Sequence, residues 1–337
     1  MYLEDQVPTA VAAPEQEWAL PRRPGVLETV WRFIRRKPLG AFGFLIVFFL
    51  VAMTIGAPTG KFGMPSLPSR PLGFELGKPF MARYDVETQF TYIDAAGRQR
   101  GRQFDGPSWE HWLGIDKAGR DTWARIVWGA RRSLFVGLWA LAVATAIGTA
   151  IGVVSGFFRG WFDTAMQRVM DALQSFPALI TLILIISINP LTSGPSLTVA
   201  AFALGFVGIT SVQRIVRGVV LSTREQPYVE AARAIGATDL RIMLYHILPN
   251  IAAAIIVVFS IGLGSVILAE AALGFIVPQF VPQDPSWGLM LNEGRSVMLD
   301  HPSLALFSGA AIALVVLGFN LAGDALRDVL DPRLRLG

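Results

Sequence analysis

The chain has 337 residues, 53% of them hydrophobic and only 16% charged, with 29 Lys and Arg against 25 Asp and Glu for a formal net charge of +4. Soluble domains carry about 25% charged residues, so the deficit of charge points to a chain whose solvent is partly lipid. There is no cysteine, which excludes disulfide staples, zinc–thiolate sites and thiol nucleophiles.

Taken in chain order, residues 1–25 are polar and proline-containing and read as a loose tail. A spanning helix needs roughly 20 apolar residues. Within 26–57, the uncharged run Leu39–Ala57 meets that length. Arg35-Arg36-Lys37 ahead of it resembles the start of a signal peptide, but the run is too long for an h-region and no small-x-small site follows cleanly, so a retained anchor is expected. Residues 58–108 begin rich in Pro and Gly. Tyr84–Ile93 and Arg98–Phe104, around Asp94-Ala95-Ala96-Gly97, then read as a β-hairpin. The core, 109–326, opens with a second run, Ser133–Phe158, carrying Gly148, Gly152 and Gly156 at four-residue spacing. Such a stripe lets another helix approach closely. Ala172–Gln213 is too long for one span, and Asn189-Pro190-Leu191-Thr192-Ser193-Gly194-Pro195-Ser196 divides it into helices near 172–188 and 197–213. Pro177 either kinks the first of these or marks its first turn. Ile251–Ala269 and Ser303–Gly323 complete six runs, and 327–337 is a short tail.

Six crossings put both termini on one side, and positive charge says which. Arg and Lys crowd the segment before the first run, the loops after the second and fourth, and the tail after the sixth. The loop between the third and fourth has none, and that between the fifth and sixth has only Arg295. Both termini are therefore expected in the cytoplasm, with 58–108 outside. The basic residues fall on loops rather than on one face, which argues against nucleic-acid binding.

The loop at 228–250 carries the strongest pattern. Val229–Ile235 is helical and Ala-rich, and Gly236 stops it because glycine tolerates a left-handed helix end. Thr238 or Asp239 caps a second short helix, Leu240–Ile247, with an expected apolar face of Leu240, Met243, Leu244 and Ile247. Pro249 opens the fifth run. Periodicity alone also allows a plain connecting helix.

Glu230-Ala231-Ala232, Gly236 four residues on, and Leu248-Pro249 resemble the EAA loop of ABC importer permeases in both type and spacing. His246 stands where the general pattern has Ile. The form His246-Ile247-Leu248-Pro249-Asn250 is similar to the dipeptide/oligopeptide subgroup, which also includes nickel transporters. His111–Asp121, Pro285-Ser286-Trp287-Gly288 and the stretch from Asn320 to Arg335 resemble the same subgroup, with Trp112 and Ile115 as departures. The resemblance implies an all-α permease of six transmembrane helices in the cytoplasmic membrane. It also implies a second permease subunit, two ATPase subunits that bind ATP and Mg, and an extracytoplasmic substrate-binding protein. Glu230, Ala231, Ala232, Gly236, Asp239, Leu240, Leu244, His246, Leu248 and Pro249 would dock the ATPase, with Ala231 and Ala232 allowing close approach. Peptides are the implied cargo, with nickel, oligosaccharide or another small solute as alternatives. The 58–108 insertion is either a flap toward the binding protein or passive.

No cofactor is expected on this chain, and it is not expected to be an enzyme. Gly56-Ala57-Pro58-Thr59-Gly60-Lys61-Phe62 is not a nucleotide loop, since it is one residue short and ends in Phe instead of Ser or Thr. His111, His246 and His301 lie in separate segments, and no metal site is expected. Glu270 follows an uncharged run, and a carboxylate near membrane depth is costly. It is a pathway or gate candidate, or else a helix-end carboxylate or subunit contact. An ATP-independent channel or secondary transporter, or a membrane scaffold, are the readings from other classes.

Overall fold

The computed structural model describes residues 33–35, 37–56, 82–86, 88–93, 98–188 and 196–330. The turn expected at 94–97, the loop at 189–195, the N-terminal tail, residues 331–337 and all of 57–81 lie outside them. Among the described residues the regular structure is helical apart from one two-stranded sheet.

Among the described residues five helices are long and apolar enough to cross a bilayer. They are α1 (Pro38–Gly56), α2 (Thr122–Phe158), α5 (Leu197–Thr223), α8 (Leu248–Ile276, continuous with a preceding turn) and α10 (Ser303–Leu330). The third run, expected as a single helix near 172–188, departs from expectation. It is built from α3 (Gly160–Gln174) and α4 (Ala178–Ser187), bent 85° from each other. Pro177 stands at the break and caps α4, so it ends one helix and starts another instead of kinking a span. Proline also drives the residue before it out of helical geometry. At 1.5 Å per residue, the ten residues of α4 reach about 15 Å, half a hydrocarbon core. Only the bent pair taken together makes a sixth crossing.

The glycine stripe sets the most extensive helix pairing. A Cβ on Gly148 would lie 2.8 Å from Val212 Cβ, one on Gly152 2.9 Å from Val216 Cβ, and one on Gly156 2.9 Å from Val220 Cβ. The helix packed there is therefore α5, whose valines recur every fourth residue to match. α3 is clamped to α5 beside this seam. Arg217 donates to both oxygens of Asp163 at 2.6 Å, and Ser155 donates to the same carboxylate at 2.5 Å.

The far end of α2 carries a small subdomain. Strands β1 (Thr91–Ile93) and β2 (Gln99–Gly101) pair antiparallel, with Tyr92 opposite Arg100. The hairpin is thus present but shorter than its expected arms. It is hydrogen-bonded to the residues that precede α2, through Phe90 N to Gly119 O at 2.8 Å, so 82–108 and 109–121 form one unit. His111 is fully buried there, between the rings of Tyr84 and Phe90. Its Nδ1 lies 2.8 Å from Asp121 Oδ2, while Asp121 Oδ1 accepts from Ala124 N and caps α2. The role of His111 is to fix where α2 begins.

α9 (Trp287–Arg295) closes the same end. Trp287 is buried, donates from Nε1 to Ile126 O at 3.0 Å, and lies where a side chain on Gly129 would be. Arg125 bridges Asp116 and Glu293, at 2.5 and 2.7 Å. Burial works against the Glu293 charge, but hydrogen bonds from Arg125 and the charges of Arg125 and Arg120 outweigh it and hold its carboxyl below the usual range. The clasp is therefore complete at neutral pH and opens only as pH falls through that lowered value.

Candidate functional site

α6 (Pro227–Ala234) and the turn after it hang from the end of the bundle opposite the hairpin. Gln226 caps α6 without a side-chain bond and Pro227 opens it, where a missing N–H costs nothing. Gly236 ends it at φ +84°, and no atom lies within 4 Å of where a Cβ would stand, so only backbone conformation demands glycine there. Thr238 then caps the next turn by accepting from Arg241 N.

That turn is not the short α-helix expected. After Asp239–Arg241, which we call α7, residues Ile242–Ile247 wind as a π-helix and run directly into α8. The wider winding changes which side chains share a face. Ile242, Met243 and Ile247 are buried, whereas Leu240 is 62% and Leu244 48% exposed. The expected face of Leu240, Met243, Leu244 and Ile247 is therefore split in two. π-turns are rare and are frequently found at functional positions.

The buried half is an anchor. Val229, Ala232, Ile242, Met243 and Ile247 pack into one apolar cluster with Phe157 of α2 and Val212, Val216 and Val220 of α5. Ala232 thus faces the chain's own core, not outward as expected, while Ala231 is exposed. Arg224 donates to the Phe157 carbonyl, and Arg224 and Arg233 both sit 5.9 Å from the Phe157 ring. The outward half presents Ile235, Leu240, Leu244 and Tyr245, rimmed by Glu230, Arg233, Asp239 and Arg241. His246 and Leu248 are half-buried, Pro249 is exposed, and Asn250 donates to His246 O at 2.6 Å. Exposed apolar side chains held on a rigid, buried base are what a docking surface requires.

Glu270 lies toward the other end of α8 and is 3% exposed. Its Oε2 accepts from Ser133 at 2.9 Å and its Oε1 is 3.6 Å from Arg132 Nε. Arg132 in turn donates to the carbonyls of Pro282 and Asp284 at 3.0 and 2.6 Å. Glu270 therefore neutralises an arginine that staples the 277–286 loop to α2. Sequence reading singled out Glu270 but missed its partner. The signal was available: Arg131-Arg132 abuts one uncharged run just as Glu270 abuts another. Removing one member of a buried pair costs about 3–5 kcal/mol, more than replacing both. Glu270→Leu is expected to lower the melting temperature of the purified protein, and Arg132→Met combined with Glu270→Leu to recover part of the loss. Equal or additive losses in a thermal-shift double-mutant cycle would contradict the pairing.

A cavity of about 740 Å³ opens between α2, α5, α8 and the end of α10. Its wall is mostly small or apolar, including Ala253, Ala254 and Gly262. Among the described residues no group of His, Asp and Glu is arranged to hold a metal ion.

Residues 148–336 match the family model described as binding-protein-dependent transport system inner membrane component. Two glutathione transport system permease proteins GsiD, from Shigella flexneri serotype 5b (strain 8401) and Escherichia coli O6:K15:H31 (strain 536 / UPEC), are similar to this chain. They are 37% and 36% identical over 305 residues, covering 90% of this chain and 90% of each relative. The fold is similar to that of the inward-facing MetNI methionine ABC transporter, with a TM-score of 0.52 at 20% identity over 61% of this chain and 96% of that one. The chain belongs to the binding-protein-dependent transport system inner membrane component family and is a multi-pass permease component of an ABC importer.

Proposed function

We propose that this chain forms half of the translocation pathway for peptides or peptide-like solutes, driven by ATP hydrolysis on partner subunits. The observation that carries the reading is the surface of Ile235, Leu240, Leu244 and Tyr245, exposed on a base of five buried side chains. It fits a groove on an ATPase subunit, and movement of that base would pass to α2 and α5 through the Phe157 cluster. On this reading the α6 end faces the cytoplasm, in line with the charge bias of the loops. A second permease subunit completes the pathway, two ATPase subunits hold ATP and Mg, and an extracytoplasmic binding protein docks over the hairpin subdomain. Peptide-like cargo is supported by the glutathione permeases to which the chain is similar. Arg132 and Glu270 serve as positioning residues for the loop beside α9.

The test is reconstitution with its ATPase, partner permease and binding protein in proteoliposomes. ATP-dependent accumulation of labelled tripeptides, glutathione included, is expected. Flux without ATP would favour a channel or secondary transporter. Accumulation of nickel or an oligosaccharide in place of any tripeptide would overturn the cargo.

A further inference from the structure

Among the described residues, the cavity between α2, α5 and α8 has one charged residue in its wall, Arg327, near the end of α10. Among the described residues no Asp or Glu lines it. Arg327 is exposed and has no ion pair with a described carboxylate, although Asp324 and Asp328 share its helix. Asp328 is engaged by Lys37 instead. Asn250 faces the cavity at the same end, with its Nδ2 committed to His246 O, which leaves its Oδ1 as an acceptor. Ser211 and Ser265 add hydroxyls farther along the wall. The volume falls within the range of small-molecule sites, about 300–1,000 Å³, which are largely apolar with a few polar groups that set orientation.

We propose that this cavity is a solute subsite on the exit side of the pathway, and that Arg327 selects for a carboxylate on the transported molecule. This deepens the pathway reading and rests on it. A guanidinium matches a carboxylate with two parallel hydrogen bonds and cannot be deprotonated. The small side chains of Ala253, Ala254 and Gly262 leave room for the uncharged body of the ligand. The asymmetry, one cation and no anion, favours an acid over a zwitterion's amine end, and disfavours a metal cation.

The same chemistry could come from the headgroup of an anionic lipid, so the test separates the two. The full complex, without binding protein and without ATP, is placed in nanodiscs of phosphatidylcholine alone or with phosphatidylglycerol. Binding of labelled glutathione and of its dimethyl ester is measured to the unmodified complex, Arg327→Gln and Arg327→Lys. The free acid is expected to bind more tightly than the ester. Arg327→Gln should weaken the acid by roughly tenfold or more, the scale of lost charge-assisted hydrogen bonds, and leave the ester unchanged, while Arg327→Lys, which keeps the charge but not the fork, should restore only part of the loss. Equal binding of acid and ester, equal losses for both in Arg327→Gln, or an Arg327 effect seen only with phosphatidylglycerol would each overturn the proposal. ATP-driven uptake of a different carboxylate-free solute, with no glutathione binding, would overturn it as well. Uptake of peptides that is insensitive to Arg327 would leave the pathway reading standing and this subsite refuted.

Discussion

If the proposed docking holds, Leu244→Asp is expected to leave the chain inserted and folded while abolishing capture of an ATPase subunit. Leu244 is 48% exposed and makes no part of the buried cluster beneath it, so a charge there meets water in the isolated chain. In a complex the same charge would be buried without a partner, and central apolar anchors are worth about 2–4 kcal/mol each. Recovery of the ATPase with tagged permease should drop by roughly 30-fold or more, and uptake with it, at unchanged melting temperature. Met243→Asp is the contrast. Met243 is 7% exposed and lies in the anchor, so that change should lower stability before it affects docking. If Leu244→Asp destabilises the chain as much as Met243→Asp, the division of this turn into two faces is wrong. Gly236 adds a finer test. Its φ of +84° with open space around it makes Gly236→Asn tolerable and Gly236→Val disruptive, because β-branched residues resist the left-handed region.

The second large effect lies in the glycine seam. Gly152→Leu would press a branched side chain into Gln213 O and Val216, each 2.9 Å from the first added atom. Backbone on one side and a β-branched valine on the other cannot give way cheaply. Overpacking of this kind costs on the order of 3 kcal/mol or more. The measurable outcome is loss of monodisperse protein in detergent and a lower melting temperature. Gly218→Ala, on α5 with no atom within 4 Å of the added carbon, should be neutral or slightly stabilising by helix propensity. Equal behaviour of the two variants would show that α2 and α5 do not meet along this stripe.

Both predictions combine what is local in the chain with what is not. The lack of charge, the apolar runs, the stop at Gly236, a cap at Thr238 or Asp239 and the existence of a hairpin follow from composition and backbone preference, which a stretch of residues carries wherever it sits. The resemblance around Glu230-Ala231-Ala232 is of the same local kind. Periodicity also showed that Gly148, Gly152 and Gly156 share a face, but a helical repeat does not name the helix opposite, and only packing assigns α5.

Tertiary structure decided the rest. The wide winding of Ile242–Ile247 left Leu244 outward while Met243 and Ile247 are buried, because more residues per turn change which side chains share a face. Ala232, in the helix before it, faces inward because that helix packs on the Phe157 cluster. Pro177 was visible in the chain, but whether it kinks a span or ends one depends on what α3 packs against, and Asp163 and Arg217 hold α3 to α5 at 85° from α4. Glu270 announced itself as an expensive charge. Its neutralising partner, Arg132, lies 138 positions away in number and 3.6 Å away in space, a distance set by how two membrane helices cross and by nothing in either segment alone.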